Sequence, residues 1–156
     1  MFTVEVLRSC ELFTGLSDEE LEQIAALAVA KTYGAGQEIL AESQPADRLF
    51  ILASGRVQVN IHLGSSLQPD REVTIEEVEP GRIFGWSSLV TQQRFTASAR
   101  ALEAVTVIVL EPADLTSLFD RNAHIGFVVM KQLAKVVASR LSHTRQRLEQ
   151  QEASGS

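Results

Sequence analysis

Near the N-terminus, the order of apolar and polar residues is typical of an amphipathic helix. In residues 16–21, Leu-Ser-Asp-Glu-Glu-Leu, Ser17 is placed as an N-cap with Glu20 three positions later. Leu16 and Leu21 flank this pair at the spacing of a hydrophobic staple. Apolar residues continue at helical spacing towards Gly34. The pattern predicts a helix that begins after Ser17, runs towards that glycine and packs one face on a core.

The middle of the chain has strand periodicity. In residues 56–63, Val57, Val59, Ile61 and Leu63 alternate with polar residues, which predicts a strand with one buried and one wet face. Residues 105–110, which are largely apolar, add a further strand. Turn-forming residues interrupt the stretch 37–110 at Gly34-Ala35-Gly36, Gln44-Pro45-Ala46-Asp47, Gly64-Ser65-Ser66, Gln68-Pro69-Asp70 and Glu79-Pro80-Gly81. Short strands at this spacing predict a sandwich or a barrel.

The last third of the chain is again helical in pattern. Pro112 opens a short helix that ends near Phe119, and a longer helix covers about residues 124–150. One narrow apolar stripe follows the long helix: Ile125, Val129, Leu133, Val137, Leu141, Thr144 and Leu148. It continues where the rest of the helix is polar, so we expect a homodimer with the seam Val129, Leu133, Val137, Leu141 and Leu148. The alternative is that the stripe packs back on its own domain.

These patterns predict one domain, residues 1–150, with a β part at about 32–110, a helical part at about 112–150 and a tail at 151–156. The 156 residues include 14 Lys and Arg against 20 Asp and Glu, a net charge of −6. This balance argues against general binding to a phosphate backbone. The single cysteine, Cys10, excludes an internal disulfide, and we expect a cytoplasmic protein. No apolar run is long enough to span a membrane.

The sequence shows little sign of catalytic chemistry. His62, His124 and His143 have no spacing that resembles a metal motif, and no glycine-rich phosphate loop or nucleophile motif is present. Glu76 and Glu77 would point to opposite faces of a strand, and a solvated edge accounts for them better than an acid/base pair. We therefore expect a protein that is not an enzyme and has no metal or cofactor.

Three motifs resemble the cyclic nucleotide-binding domain family, which includes the catabolite activator protein and the regulatory subunit of protein kinase A. They are Leu12-Phe13-x-Gly15-Leu16-Ser17, residues 45–57 (PADRLFILASGRV) and Pro80-Gly81-Arg82-Ile83-Phe84-Gly85. The resemblance covers about residues 11–148. It implies a mainly β fold with flanking helices: a jelly-roll-like β-roll, or double-stranded β-helix, with an N-terminal helix and a long C-terminal helix. Transcription factors of the family add a helix-turn-helix after that helix, and this chain does not contain one, so direct DNA binding is not expected.

The resemblance also implies where a ligand would bind. Family members that bind cyclic nucleotides follow the Phe-Gly pair with a Glu for the ribose and later place an Arg on the phosphate. Here these positions hold Trp86 and Phe95, and Arg94 stands one residue early. On a strand, that shift points Arg94 to the opposite face unless residues 91–93 bulge. The candidate pocket comprises Phe84, Gly85, Trp86, Ser87, Ser88, Arg94, Phe95, Thr96, Ala97, Thr144 and Arg145.

The resemblance therefore implies a regulatory module that does not bind cAMP or cGMP in the usual way and acts through dimerisation or a protein partner. The alternative is a working receptor that holds a cyclic nucleotide with Arg94 and the helix start at residues 86–88. A second alternative is a scaffold that only dimerises.

Overall fold

The structure is a computed structural model that describes residues 2–63, 71–90 and 94–155, with side chains as far as residue 150. The helices of this part are α1 Phe2–Arg8, α2 Asp18–Ala25, α3 Ser87–Val90, α4 Pro112–Arg121 and α5 Ala123–Gly155. The strands are β1 Val29–Tyr33, β2 Glu38–Leu40, β3 Leu49–Ser54, β4 Val57–Leu63, β5 Arg71–Val78, β6 Ile83–Phe84, β7 Ser98–Ala101 and β8 Val105–Leu110. The turns expected at residues 64–66 and 68–70 lie outside the described residues.

The strands form two four-stranded antiparallel sheets. Sheet A has the order β1-β8-β3-β6, and sheet B has the order β2-β7-β4-β5. The predicted β-roll with an N-terminal helix and a long C-terminal helix is confirmed. Helix α1 is an additional N-terminal element that the sequence pattern did not predict.

The central strands of sheet A, β8 and β3, are buried on both faces, whereas the edge strand β1 is largely exposed. Along β3, Phe50 and Leu52 pack between the two sheets, whereas Leu49 and Ile51 pack against the helices. Because neither face meets water, every position of the central strands can be apolar. Accordingly, five of the six residues of β8 are apolar, and Thr106 is the exception.

Helix α2 begins as predicted and ends earlier than expected. The Ser17 hydroxyl accepts a hydrogen bond from the backbone N–H of Glu20, and the Glu20 carboxylate accepts one from the N–H of Ser17, which completes the capping box. The helix ends at Ala25 rather than near Gly34. Residues Val29–Tyr33 instead form β1, which pairs with β8, so pairing to a neighbouring strand prevails over a helix-compatible sequence.

Strand β4 keeps its predicted alternation only in its first half. Val59 pairs with Glu76 and Asn60 pairs with Thr74, so Ile75 is an extra residue on β5, a β-bulge. Beyond the bulge Asn60 is buried, and its side-chain oxygen accepts a hydrogen bond from Thr74. Leu63, expected on the dry face, is 38% exposed.

The apolar stripe of α5 is buried in the first part of the helix and largely exposed in the second. Val129 and Leu133, expected in a dimer seam, are buried in the core of their own chain, and Val137 packs partly against that core. The packing-back alternative is therefore correct for this half of the stripe. Leu141 is exposed and Leu148 half-buried, so a seam remains open to proposal there. Residues 151–155, expected as a tail, have helical backbone. No helix in the described ranges is long and apolar enough to cross a bilayer.

Candidate functional site

A cavity of about 70 Å³ lies beside sheet B, between the strands, the segment 84–87 and helix α5. Eight of the eleven candidate pocket residues line it: Phe84, Gly85, Trp86, Ser87, Phe95, Thr96, Ala97 and Thr144. Seven further residues line it that sequence analysis did not single out for a pocket: Leu40, Val59, Ile75, Glu76, Ser98, Ala99 and Arg140. The site is therefore a single concave space built from both halves of the chain.

The turn at Gly85 fixes one wall. Phe84 stacks on Phe50, with ring centroids 4.9 Å apart, and Gly85 follows with φ of 72°. A Cβ on Gly85 would lie 3.1 Å from the Phe50 ring and 3.2 Å from the carbonyl oxygen of Arg48. Only glycine combines this left-handed conformation with so close an approach. The turn delivers residues 86 and 87 to the cavity.

Trp86 and Ser87 occupy the start of the short helix α3. The Trp86 indole lines the cavity and packs against the helical core, and the Ser87 side chain is buried at the same wall. Ser88 differs from the expectation: its hydroxyl donates to the Gly85 carbonyl at 2.8 Å, and it lines a separate groove beside Pro112. The Trp86 ring thus stands where the resemblance would place a ribose-binding Glu.

The side chains of Phe95 and Arg94 point to opposite sides of the backbone. The backbone of Phe95 pairs with Ser43 and Gln44, and its ring is 3% exposed and forms part of the cavity wall. Arg94 is exposed, does not line the cavity, and donates from Nη1 to the Ser43 carbonyl at 2.5 Å. The bulge that would point Arg94 inward falls on residues 91–93, outside the described residues. In the structure, the Arg94 guanidinium binds a carbonyl of the loop at Ser43. None of its nitrogen atoms lines the cavity.

The two candidates on helix α5 also separate. Thr144 lines the cavity, with Thr96 and Ala97 on β7's side of the opening. Arg145 is 82% exposed and pairs with Glu149 at 3.3 Å along the helix. It is a surface charge and does not line the cavity.

Arg140 is the main residue that sequence analysis missed. It is 5% exposed, and its guanidinium binds Glu11 through Nη1 at 3.3 Å and Nη2 at 2.8 Å. Nη2 also donates to the Ile83 carbonyl at 3.3 Å, and Nε contacts the Glu76 carboxylate. Glu11 in turn accepts a hydrogen bond from the Ile83 N–H at 2.9 Å. This cluster ties α5 to the N-terminal segment, β5 and β6.

The position of Glu76 corrects the expectation of a solvated edge. The β-bulge turns Ile75 and Glu76 both towards the cavity, whereas Glu77 on the next position pairs with Arg56 at 3.7 Å outside it. Burial raises the pKa of the Glu76 carboxyl, although attraction by Arg140 opposes the shift. For Arg140, burial acts to lower the pKa, and the Glu11 and Glu76 carboxylates outweigh it, so its pKa is raised. Repulsion from the Glu11 carboxylate adds to the rise in the Glu76 pKa.

The side chains of the described residues form no catalytic or metal-binding arrangement around the cavity. Burial raises the pKa of the Cys10 thiol to about 12, so it is not a thiolate. Among residues 2–63, 71–90 and 94–155, no group of three His, Cys, Asp or Glu could hold a metal ion.

Comparison with known proteins gives a consistent family. The sequence model of the cyclic nucleotide-binding domain matches residues 30–122. Glutaminase 1 of Bradyrhizobium diazoefficiens is 32% identical over 130 residues, which are 83% of this chain and 20% of that protein. The cyclic AMP receptor protein of Thermus thermophilus is 29% identical over 136 residues, 86% of this chain and 59% of that protein. The chain thus spans between a fifth and three-fifths of these relatives.

Solved structures agree. A Geobacter metallireducens protein, named as a candidate cyclic nucleotide-binding protein, has a TM-score of 0.74 and 35% identity, covering 90% of this chain and 99% of its own. The catabolite activator protein of Thermus thermophilus has a TM-score of 0.74 and 27% identity, covering 91% of this chain and 63% of its own.

Proposed function

The chain belongs to the cyclic nucleotide-binding domain family, and from this premise we propose that it is a regulatory module that does not hold a cyclic phosphate in the usual way. The observation that carries the proposal is the pair Phe95 and Arg94. The buried ring takes the place of a guanidinium, and the neighbouring guanidinium is committed to a carbonyl oxygen outside the cavity.

Charge supports this proposal. A phosphate that leaves water for a buried site needs an unpaired cation or several donors in return. Among the described residues, Arg140 is the one cationic side chain that lines the cavity, and Glu11 and Glu76 already bind it. A cyclic phosphate would therefore lose its hydration without gaining a free guanidinium.

The role we propose is regulatory rather than catalytic. The match to glutaminase 1 covers only a fifth of that protein, so it gives no support for that enzyme's activity here. The module would act by changing contacts with a partner protein or with a second copy.

Calorimetric titration with cAMP, cGMP and cyclic dinucleotides tests this function. We expect no saturable binding in the micromolar range, for which a binding free energy of about −8 kcal/mol would be required. The control is Arg94→Ala beside Arg100→Ala, an exposed arginine on β7. Saturable micromolar binding that Arg94→Ala abolishes and Arg100→Ala preserves would establish the receptor alternative in place of our proposal.

We further propose that the exposed face of α5 forms a homodimer. Phe127, Met130, Ala134, Val137, Leu141, Thr144 and Leu148 follow each other at alternating steps of three and four. Phe127 is 66%, Met130 46% and Leu141 69% exposed, so the stripe presents a row of exposed apolar side chains rather than a single one. Such a heptad stripe fits the same stripe on a second helix. It differs from the stripe that the sequence predicted by including Phe127 and Met130 in place of Val129 and Leu133.

Sedimentation velocity of two glutamate variants tests the dimer. Leu141→Glu places a charge in the stripe and is expected to give a folded monomer, whereas Ser142→Glu places the same charge one position away and leaves the dimer intact. A monomeric wild-type chain, or equal effects of both variants, would contradict the dimer. If Leu141→Glu gives a folded monomer and no ligand is found for the cavity, the scaffold alternative gains support.

A further inference from the structure

The cavity wall is mostly apolar, although four hydroxyl side chains also line it: Ser87, Thr96, Ser98 and Thr144. Leu40, Val59, Ile75, Phe84, Trp86 and Phe95 supply most of its wall. Such a wall favours an apolar ligand because the ligand leaves water without losing polar contacts. The charged end consists of Glu76 and Arg140.

At the charged end, the one positive charge of Arg140 is shared between the carboxylates of Glu11 and Glu76. Arg140 directs Nη1 and Nη2 to Glu11 and the Ile83 carbonyl, and Nε contacts Glu76. Arg82, half-exposed and 3.8 Å from Glu11, lies on the solvent side of the cluster and does not line the cavity. An ionised carboxylate accepts about four hydrogen bonds, so Glu76 retains acceptor sites after its contact with Arg140.

The electrostatic state of Glu76 agrees with a missing donor. Burial raises its pKa although Arg140 is in contact with it. The carboxylate is therefore less stabilised inside the protein than in water, and a further donor or positive charge would lower its free energy. A ligand anion in the same place would raise it.

The size of the cavity limits the ligand to about one ring. Its volume of about 70 Å³ is roughly half that of a 150 Å³ engineered cavity that accepts benzene. A ring therefore enters only if a wall moves outward or if part of the ring stays in the opening near Thr96. Backbone pairing fixes the walls that the strands form. The wall that α5 forms is held by the hydrogen bonds and ion pairs of the Arg140 side chain.

We propose that this cavity binds a small, largely apolar molecule, neutral or cationic, that donates a hydrogen bond to Glu76, and that it rejects anions of the same shape. The inference rests on the proposed function, since a working cyclic phosphate site would require the opposite selectivity.

The sole tryptophan of the chain makes the test direct. Because Trp86 lines the cavity, its fluorescence reports occupancy without a label. Three probes share one ring and nearly one length: benzylamine is a cation, benzyl alcohol a neutral donor and benzoate an anion at neutral pH. We expect benzylamine and benzyl alcohol to saturate the signal, and benzoate to bind at least about tenfold more weakly, equivalent to about 1.4 kcal/mol.

A matched pair of variants locates the selectivity. Glu76→Gln should reduce the preference for benzylamine over benzoate about tenfold. It removes the negative charge from the cavity and keeps nearly the same side-chain shape as an amide. Glu77→Gln removes the same charge from the adjacent residue outside the cavity and should leave the preference unchanged. Thermal unfolding of both variants controls for folding, and the ranking of the three probes on the wild-type chain tests the inference even if Glu76→Gln does not fold.

The outcomes separate the inference from the function on which it rests. Preferred binding of benzoate, no saturable signal from any probe, or equal effects of the two variants would overturn the inference and leave the proposed function standing. Saturable cAMP binding that depends on Arg94 would overturn the proposed function itself. The expected ranking with a selectivity lost only in Glu76→Gln supports both.

Discussion

The two halves of helix α5 share one apolar stripe but lie in different surroundings. From residue 123 to Arg140, every third or fourth side chain is buried: Ile125, Val129, Leu133, Val136 and Arg140. From residue 141 to 150 no side chain is fully buried, and Leu141 is 69% exposed. The apolar stripe runs through both halves. What differs is the surface opposite the helix, which is the helical core for the first half and, for the second, the cavity and an open groove beside β5.

Arg140 marks the boundary between the halves. It is a charged residue on the buried side of the helix, and it connects that side to the cavity through Glu76. The comparison teaches that the first half buries one of its faces in its own domain, whereas the second half has no fully buried side chain. The first two experiments below test this division, and the third tests a contact in the first turn of the helix.

The largest effect is expected from Arg140→Met. It leaves Glu11 and Glu76 without their shared cation, and breaking such a buried pair costs about 3–5 kcal/mol of unfolding free energy. Arg145→Met, on the second half and 82% exposed, should cause no measurable change. Urea unfolding measures both. Equal stability of the two variants would show that the division at residue 140 has no energetic basis.

A somewhat smaller effect is expected in the core. Leu133→Ala removes a side chain that is 2% exposed and should cost about 2–5 kcal/mol. Leu141→Ala makes the same change at an exposed site and should stay within about 0.5 kcal/mol when the protein is dilute. If Leu141→Ala destabilised the dilute protein as much as Leu133→Ala, the second half would be packed on its own domain after all.

The smallest effect concerns the first turn of α5, where the His124 ring contacts the Glu20 carboxylate at 2.7 Å. This hydrogen bond from His124 holds the pKa of Glu20 below its ordinary value of 4.5. The stabilisation is therefore present above about pH 4.5 and is lost as the pH falls through the lower, folded-state pKa.

Unfolding of Glu20→Gln beside the wild type from pH 7 to 3 measures this contribution, which we expect to be about 0.5 kcal/mol at neutral pH. The difference should vanish in acid, because both chains are then uncharged at that position. Gln retains the oxygen that caps Ser17, so the capping box is preserved. A difference that grows as the pH falls would contradict the assignment.

Local patterns in the sequence predicted elements whose causes are local. The start of α2 follows from Ser17 and Glu20 alone, and its capping box is confirmed. The end of α2 did not follow, because β1 depends on pairing with β8, some 75 residues away along the chain. The same reason explains the missed cluster, whose members Glu11, Glu76 and Arg140 come from three distant segments.

One signal for the cluster was present. Arg140 lies four positions after Val136, on the same face as Leu133 and Val129, and a charge on a buried face requires a partner. No comparable signal existed for Glu76. Strict alternation correctly separates it from Glu77, but it does not say which of them faces inward, and the bulge at Ile75 leaves no recognisable mark in the sequence.

The β-bulge at Ile75 also determines how a deletion in this strand would change the cavity. Ile75 has no partner on β4, whereas Val59 still pairs with Glu76 and Asn60 with Thr74 on either side of it. Deleting Ile75 would restore a regular ladder in which Glu76 and Val73 keep their present faces, since the strand period is two. A change of one residue in chain length can therefore remove an apolar side chain from the cavity wall without changing the register of sheet B. Strand length, as well as side-chain identity, is open to selection for the shape of this site.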